Sequence, residues 1–315
     1  MIMVTGVAGF IGFHVAQALL ARGDAVVGVD NINEYYDPSL KRARLARLAG
    51  RTGFLFEQLD ICDHGRMRAL VEGRGVRRIC HLAAQAGVRY SLDHPFAYEK
   101  SNGEGFLSVI ECARRVRVDN FVYASSSSVY GANTKLPFSE TDPVDNPISL
   151  YAATKKANEL VAHCYSRLYG VPCSGLRFFT VYGPWGRPDM ALFIFTKRIL
   201  DGAPIDVYNN GDMKRNFTYV DDIVKGVIAA LDSPVACEIY NIGNNRAELL
   251  MDFIATIETA IGKKAVLNYL PMQPGDVPAT VADIAKISRL GYAPSTDIAE
   301  GIPKFVAWYR EYYGV

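Results

Sequence analysis

Short apolar runs alternate with amphipathic stretches over the first 180 residues of the chain. Six runs have the length and near-continuous apolar character of strands that are buried on both faces of a parallel sheet. They lie at residues 1–5, 25–29, 54–59, 77–81, 120–124 and 173–179. Between them, residues 96–115 and 151–169 have helical spacing of apolar side chains. This alternation predicts an α/β fold with a doubly wound parallel sheet.

The pattern changes after Thr180, where a loop rich in Gly and Pro begins. Shorter helices and strands follow, and the chain ends in a helix whose aromatic stripe indicates a core or subunit contact. We interpret residues 1–180 as one domain, to which later segments return, and residues 181–315 as a smaller C-terminal α/β substrate domain. Asp222 is expected to cap the helix that begins there.

A glycine-rich turn follows the first predicted strand. Gly6 permits a tight turn, Gly9 lets backbone N–H groups approach a pyrophosphate, and Gly12 allows close helix–strand packing. The N-terminus of the next helix favours an anion. The second strand closes on Asp30, whose carboxylate suits ribose hydroxyls and disfavours a 2′-phosphate. The turn and its flanking elements together predict a Rossmann domain that binds NAD rather than NADP. The glycine spacing is Gly-x-x-Gly-x-x-Gly and not the Gly-x-Gly-x-x-Gly of the usual dinucleotide fingerprint.

Residues at the ends of later predicted strands extend this cofactor site. Asp60 could accept a hydrogen bond from an adenine amino group, and small residues at 82–87 would let a cofactor lie close to the backbone. His81 ends a strand, where a structural role is favoured over a catalytic one. The predicted cofactor-binding residues are Gly6, Gly9, Phe10, Ile11, Gly12, Asp30, Asn31, Asp60, Ile61, Leu82, Ala83, Ala84, Gln85, Asn102, Tyr151 and Lys155.

Basic residues recur in the helical stretch at residues 41–48. Such residues usually form a solvated helix face, and we prefer this interpretation. The alternative is that Lys41 or Arg44 contacts a phosphate of the cofactor.

The candidate catalytic residues are a serine run and a Tyr–Lys pair. Residues 125–128, all serine, follow the fifth predicted strand, at the end where ligands bind in open α/β sheets. Tyr151 and Lys155 are four apart and share a helix face. A free phenol has a pKa near ~10, and a nearby ammonium favours the phenolate. Tyr151 is therefore a candidate base, with Ser126 holding the same substrate oxygen.

Composition narrows the function classes. The 315 residues carry a formal net charge of +1, which favours neither a nucleic-acid partner nor an anionic membrane. Six scattered cysteines without a Cys-x-x-Cys pair indicate free thiols rather than a disulfide or a metal site. There is no apolar run of membrane-spanning length and no signal-peptide pattern at the N-terminus. We therefore expect a cytoplasmic protein.

With the glycine turn, the serine run and the Tyr–Lys pair in this order, the chain resembles extended short-chain dehydrogenases/reductases. The nucleotide-sugar epimerase and dehydratase branch matches along nearly the whole length, and the similarity is closest to the UDP-glucuronate 4-epimerase group. The stretches that carry the resemblance are residues 6–12, 30–37, 81–91, 125–131, 151–155, 177–184 and 214–222.

The resemblance implies a mechanism for C4 epimerisation. Bound NAD⁺ takes a hydride from sugar C4 while Tyr151 removes the O4 proton. The 4-keto sugar turns over, and the hydride returns to its opposite face. Lys155 would also hold the nicotinamide ribose, Ser126 occupies the family's catalytic hydroxyl position, and Ser127 and Ser128 would line the sugar site.

Two sequence features separate members of this branch. Dehydratases and decarboxylases place an acid in the strand-end motif, whereas residues 125–128 contain none. UDP-galactose-type epimerases usually carry Asn at the position of Thr180. The side chains that would suit a C6 carboxylate are Thr180, Ser127, Ser128 and Arg89 or Arg187. UDP-glucuronate is therefore the preferred substrate, with UDP-glucose, or a dehydratase or decarboxylase reaction, as the alternative.

The resemblance also assigns nucleotide contacts and a dimer. Arg215 resembles the family's diphosphate-binding arginine, with a surface salt bridge as the alternative. Asp276 resembles a residue that meets the UDP ribose, although the arginine that usually precedes this Gly-Asp pair is absent. A homodimer would form through the helices near 96–116 and 150–169.

Two other functional classes stay open. An oxidoreductase with net release of NADH would exchange free cofactor, whereas an epimerase turns over without added reductant. A non-catalytic, cofactor-loaded regulator is disfavoured because a binding module needs no activated phenol at Tyr151.

Overall fold

The computed structural model describes residues 1–273 and 277–315 of the chain. Its strands are β1 (Ile2–Thr5), β2 (Val26–Asp30), β3 (Phe54–Gln58), β4 (Arg78–His81), β5 (Asn120–Ser126), β6 (Cys173–Phe178), β7 (Thr180–Tyr182), β8 (Pro204–Tyr208), β9 (Lys214–Arg215), β10 (Phe217–Tyr219), β11 (Cys237–Ile242), β12 (Glu248–Leu249) and β13 (Val266–Leu270). Its α-helices are α1 (Phe10–Ala21), α2 (Pro38–Leu48), α3 (His64–Gly73), α4 (Tyr90–Asp93), α5 (Pro95–Tyr98), α6 (Gly105–Val116), α7 (Leu150–Tyr169), α8 (Ala191–Asp201), α9 (Val220–Asp232), α10 (Leu250–Ile261), α11 (Ala285–Ser288) and α12 (Ile298–Tyr313).

The main sheet has seven strands in the order β11-β6-β5-β4-β1-β2-β3, and every neighbouring pair is parallel. The order runs outward in both directions from β1, which pairs with β2 on one side and β4 on the other. The connections from β1 therefore diverge, and a crevice opens at the carboxyl ends of these strands. The predicted fold class is confirmed.

The core lies on both faces of this sheet, since successive side chains of a strand point to opposite faces. In β1, Met3 packs in the cluster that includes α3 and α6, whereas Val4 packs in the cluster that includes α1 and α9. In β5, Phe121 packs in the same cluster as Met3, and Val122 packs in the same cluster as Val4. Burial on both faces explains why the interior strands are continuous apolar runs rather than alternating ones, whereas the edge strand β3 is only partly buried.

Helix α7 has clear start and stop residues. Its N-cap Ser149 accepts a hydrogen bond from Ala152 N at 3.1 Å, and Gly170 ends it with a left-handed φ of 69°. These residues place Tyr151 in the first turn, beside the carboxyl end of β5.

The helix expected at 96–115 is present over residues 95–116, but it is not a regular α-helix throughout. The single turn α5, a π-helical segment at Glu99–Glu104 and α6 follow one another without a gap, and the separate single turn α4 precedes them. The π segment contains the buried Asn102, whose side chain hydrogen-bonds to Gln85 and to Thr154. The spacing of apolar residues predicts a helix but does not indicate that part of it is π-helical.

The chain beyond Thr180 contributes to the main sheet and also forms smaller pairs. Strand β11 is the seventh strand of the main sheet, while β7 pairs with β10, β8 with β13 and β9 with β12. The division at residue 180 stays a prediction. Asp222 does not cap its own helix, because the N-cap of α9 is Tyr219. Instead its carboxylate accepts from the backbone N–H groups of Ser295 and Thr296, at 3.1 and 2.9 Å.

Candidate active site

The glycine turn between β1 and α1 leaves no room for a Cβ atom at Gly6 or Gly12. Gly6 has φ +71°, and a Cβ there would lie 2.8 Å from Ala83 N. A Cβ on Gly12 would lie 2.1 Å from the Gly6 carbonyl oxygen. Helix α1 begins directly after this turn, so its first backbone N–H groups point toward the crevice. This geometry fits the pyrophosphate of a dinucleotide.

A long cavity extends from the glycine turn to the catalytic candidates. The predicted residues that line it are Gly6, Gly9, Phe10, Ile11, Gly12, Asp30, Asn31, Asp60, Ile61, Leu82, Ala83, Ala84, Gln85, Ser126, Tyr151, Lys155 and Arg187. Further lining residues that the sequence reasoning did not assign include Asn33, Tyr35, Tyr36 and Met190. The cavity therefore joins the predicted cofactor and catalytic residues in one space that fits NAD.

Two carboxylates lie at the end of the cavity remote from Tyr151. Asp30 accepts from the backbone N–H groups of Ala8 and Ile32, at 3.0 and 2.8 Å, and burial raises its pKa although these hydrogen bonds oppose the change. Asp60 accepts from Asn31 Nδ2 at 3.0 Å; burial would raise its pKa, but its hydrogen bonds lower it overall. An ionised carboxylate has about four acceptor sites, so Asp30 retains capacity for ribose hydroxyls.

Lys41 and Arg44 are buried, so their interpretation as a solvated helix face is wrong. Arg44 donates to Ala8 O at 2.8 Å and to Trp185 O at 2.6 Å, which joins the glycine turn to the loop after β7. Lys41 donates to Asn33 O at 2.7 Å and lines the cavity. The physical reason lies in the spacing, because Arg44 falls four residues after Leu40 on the buried face of α2.

Tyr151, Lys155 and Ser126 meet at the junction of α7 and β5. Lys155 is 3% exposed, and its Nζ donates to Ala124 O at 2.9 Å. The Ser126 hydroxyl lies close enough to the Tyr151 phenol to oppose the rise in pKa that burial causes there, and it accepts from Ser128 N at 3.1 Å. The expected catalytic group is therefore assembled at the carboxyl end of the sheet.

Burial governs the titration of the candidate catalytic pair, Tyr151 and Lys155. It raises the pKa of Tyr151, while the Ser126 hydrogen bond and the Arg187 charge act in the opposite direction. It lowers the pKa of Lys155 to about 8. In the protein alone, the interactions that favour the phenolate thus come from Ser126 and Arg187, whereas Lys155 was the expected source. A phenol kept protonated by burial needs further positive charge beside it to act as a base.

A buried polar network holds the serine run in place. Ser125 Oγ donates to Glu159 Oε1 at 2.7 Å, and Arg177 donates two hydrogen bonds of 2.9 Å to the same carboxylate. Arg177 also donates to the Tyr130 hydroxyl at 3.0 Å, which in turn donates to Asn241 on β11. The sequence reasoning missed this network, although an arginine inside an apolar strand was a usable signal.

The predicted substrate residues are less tightly grouped. Arg187 lines the main cavity, and Thr180 lines a neighbouring one that Arg187 shares. Ser127 and Ser128 begin the short 3-10 helix Ser127–Tyr130, next to Ser126. The remaining three predicted residues are Arg89, Arg215 and Asp276.

Two of these three lie away from the main cavity in the described structure. The Arg89 guanidinium lies 5.1 Å from the centre of the Tyr208 ring. Arg215 donates to Lys214 O and Pro278 O. Neither is among the described residues that line the main cavity. Asp276 lies outside the described residues.

Asn102, a predicted cofactor ligand, lies behind the cavity lining. Its Oδ1 accepts from Gln85 N at 2.9 Å, and its Nδ2 donates to Gln85 O and to Thr154 Oγ1, both at 3.0 Å. Asn102 therefore joins the small-residue segment after β4 to the helix that carries Tyr151, and it does not itself line the cavity.

His81 has the structural role that the sequence favours. Its Nδ1 lies 2.8 Å from Thr5 Oγ1, and burial lowers its pKa to about 3. A neutral, fully packed imidazole of this kind supports the strand end rather than carrying protons.

We expect His81 to make the protein less stable in acid. Its folded pKa is lowered from 6.5 to about 3. Within this window the unfolded chain binds a proton that the folded protein does not, so the free energy of unfolding falls as pH falls, by up to about 1.4 kcal/mol per pH unit. Urea denaturation at several pH values should show a weaker acid dependence in His81→Asn. His64→Asn, at an exposed position, is the control, and an unchanged slope in His81→Asn would contradict the assignment.

The described residues hold no cluster of three or more His, Cys, Asp or Glu side chains that could bind a metal ion. The six cysteines are free thiols. No helix in the described ranges has the length and apolar character needed to cross a membrane.

Comparisons with known proteins agree with this geometry. The profile of the NAD dependent epimerase/dehydratase family matches residues 2–243. UDP-glucuronate 4-epimerase 4 of Arabidopsis thaliana is 49% identical over 99% of this chain and 76% of its own length. Protein CapI of Staphylococcus aureus is 49% identical over 99% of both chains.

A solved structure extends the agreement to the whole fold. UDP-glucuronic acid 4-epimerase from Bacillus cereus, in complex with UDP-glucuronic acid and NAD, is similar with a TM-score of 0.93, at 34% identity and 99% coverage of both chains. The cavity described above accounts for NAD as the cofactor of this chain. The chain belongs to the NAD-dependent epimerase/dehydratase family, within the extended short-chain dehydrogenases/reductases.

Proposed function

We propose that this protein converts UDP-glucuronate to UDP-galacturonate by inverting sugar C4. The observation that carries the proposal is Arg187, which lines the same cavity as Tyr151 and Ser126 and acts electrostatically on the Tyr151 phenol. Although Arg187 also contacts Asp189, its guanidinium lines the cavity of the candidate base, and this matches a sugar whose C6 carboxylate lies close to the reacting carbon. A neutral hexose would leave this guanidinium without a substrate partner.

NAD, when bound, supplies a hydride acceptor and donor for C4. The residues of this chain handle the proton. Tyr151 accepts the O4 proton as the C4–H bond is broken and returns it when that bond re-forms on the opposite face. Ser126 contacts both the phenol and the turn that begins at Ser127, so it can hold O4 against Tyr151. Lys155, anchored on Ala124 O, places its ammonium at the floor of the cavity.

The carboxylate must be held still during the reaction. A 4-keto uronic acid is a β-keto acid, and it loses CO₂ when the C5–C6 bond aligns with the carbonyl π system. Ser127, Ser128, Thr180 and Arg187 would fix the carboxylate away from that alignment. Arg187 can contribute most of this restraint, because charge-assisted hydrogen bonds are about twice as strong as neutral ones.

The surroundings of the serine run argue against elimination chemistry. A dehydratase needs a general acid at this strand end, and residues 125–128 supply only hydroxyls. The nearby Glu159 carboxylate accepts hydrogen bonds from Arg177 and Ser125 and is not among the described residues that line the cavity. Contacts of Arg215 and Asp276 with the nucleotide, a homodimer and a cytoplasmic location stay predictions.

The test uses purified protein with UDP-glucuronate and, separately, UDP-glucose, without added cofactor. We expect UDP-galacturonate from the first substrate, little product from the second, and no pentose or CO₂. Faster turnover of UDP-glucose would favour a neutral-sugar epimerase. Accumulation of NADH would favour a net oxidoreductase, and substantial pentose release a decarboxylase.

A further inference from the structure

Arg187, which lines the cavity, already has an acidic partner in Asp189, two residues further along the same loop. Its Nε donates to Asp189 Oδ1 at 3.0 Å, and its Nη2 contacts Asp189 Oδ2. The Tyr35 hydroxyl donates to the same Oδ2 at 3.0 Å, and the Arg187 guanidinium lies 6.0 Å from the centre of the Tyr35 ring. Tyr35 lies in the loop that follows Asp30 and also lines the cavity, so this cluster joins that loop to the loop after β7.

Asp189 keeps its negative charge in this position. Burial would raise its pKa, but the Arg187 charge and the hydrogen bonds from Arg187 and Tyr35 lower it overall. Arg187 and Asp189 together are close to neutral. A guanidinium has five N–H donors, and the pair uses only the Nε and Nη2 edge, so the other donors of Arg187 can still reach a ligand.

We infer that Asp189 is a specificity-determining residue, whose carboxylate competes with a substrate carboxylate for Arg187 and so limits the preference for acidic over neutral sugars. This inference rests on the proposed function, because it takes Arg187 as the carboxylate contact. With Asp189 in place, a neutral sugar meets a guanidinium that is already paired. An acidic sugar must share that guanidinium with a second anion. The wild-type cavity therefore discriminates less by charge than Arg187 alone would allow.

Tyr35 acts on the same competition through Asp189. Its hydroxyl occupies one acceptor site of Oδ2 and holds the carboxylate toward Arg187. Removal of this hydroxyl should weaken the hold of Asp189 on Arg187 without changing any charge. Tyr35→Phe should therefore change charge preference in the same direction as loss of the Asp189 charge, but by less.

The experiment measures binding rather than turnover. The dissociation constants of UDP-glucuronate and UDP-glucose are determined by calorimetry on NAD-loaded protein in a Tyr151→Phe background, so that neither ligand reacts. Asp189→Asn, Tyr35→Phe and Asp201→Asn are compared in that background. Asp201→Asn removes one negative charge from an exposed ion pair with Lys197 and is the matched control.

We expect Asp189→Asn to tighten UDP-glucuronate about fivefold at low ionic strength and to change UDP-glucose by less than about twofold. Tyr35→Phe should give a smaller shift of the same sign, and Asp201→Asn none. Weaker UDP-glucuronate binding in Asp189→Asn, or equal changes for both ligands, would overturn the inference, because Asp189 would then only orient Arg187. A parent protein that does not prefer UDP-glucuronate would instead refute the proposed function.

Discussion

Replacement of Tyr151 by Phe is expected to lower the rate of epimerisation by about 10²- to 10⁴-fold while NAD and the UDP-sugar still bind. The phenol hydroxyl is the one group that both contacts Ser126 and can exchange a proton with O4 in this account. The ring itself packs against Tyr98, with centroids 6.0 Å apart, and Phe preserves that contact. Initial rates with UDP-glucuronate, together with the NAD content of the purified variant, provide the measurement.

The matched control for that experiment lies on the same helix. Tyr169 is the last residue of α7 and is 54% exposed, so Tyr169→Phe removes a hydroxyl of the same kind far along the helix from the cavity. This variant should retain the wild-type rate. A Tyr151→Phe protein that keeps more than about a tenth of the activity would remove Tyr151 from the role of base.

Glu159→Gln should be the most destabilising single substitution near the site, at about 3–5 kcal/mol. The Glu159 and Arg177 side chains are 4% and 3% exposed. Loss of one partner leaves the other charge buried and without its counter-ion, and Ser125 loses a carboxylate acceptor. Urea denaturation should show a much lower midpoint than in the wild-type protein. The midpoint shift is the primary readout, since a chain of this size need not unfold in two states.

An exposed ion pair provides the control for Glu159→Gln. Arg68 and Glu72 are one helical turn apart on α3, and their side chains are 55% and 46% exposed. Glu72→Gln should cost less than about 1 kcal/mol. Similar midpoints for Glu159→Gln and Glu72→Gln would show that the buried network does not hold the fold in the way described above.

The sheet could be predicted because parallel strands buried on both faces leave a strong signal. Each of the first six strands was an apolar run, and each begins and ends within about three residues of its predicted position. The glycine turn was predictable because Gly6 adopts a positive φ and Gly12 packs against the Gly6 carbonyl within the same turn, although the close approach of Ala83 to Gly6 depends on the fold. The π-helical segment around Asn102 was not, because its shape depends on hydrogen bonds to Gln85 and Thr154 from distant parts of the chain.

Several of the missed residues around the site are buried charges. Sequence reasoning assumes that Lys and Arg face water, yet Arg44 is fully buried and reaches backbone carbonyls of two separate loops. Glu159 lies one turn beyond Lys155, and only the fold brings it to Arg177 on β6. Partners separated by long stretches of sequence cannot be paired from one chain alone. By contrast, Tyr151 and Lys155 were identifiable because a spacing of four residues places both side chains on the same face of a helix.

In the proposed mechanism, one hydrogen leaves C4 and returns to C4 of the same sugar, with Tyr151 holding the accompanying proton. The most direct measurement follows UDP-glucuronate that carries deuterium at C4 through turnover in ordinary water, with the product analysed by NMR and mass spectrometry. We expect UDP-galacturonate with the deuterium retained at C4. Product in which solvent hydrogen has replaced that deuterium would rule out this mechanism.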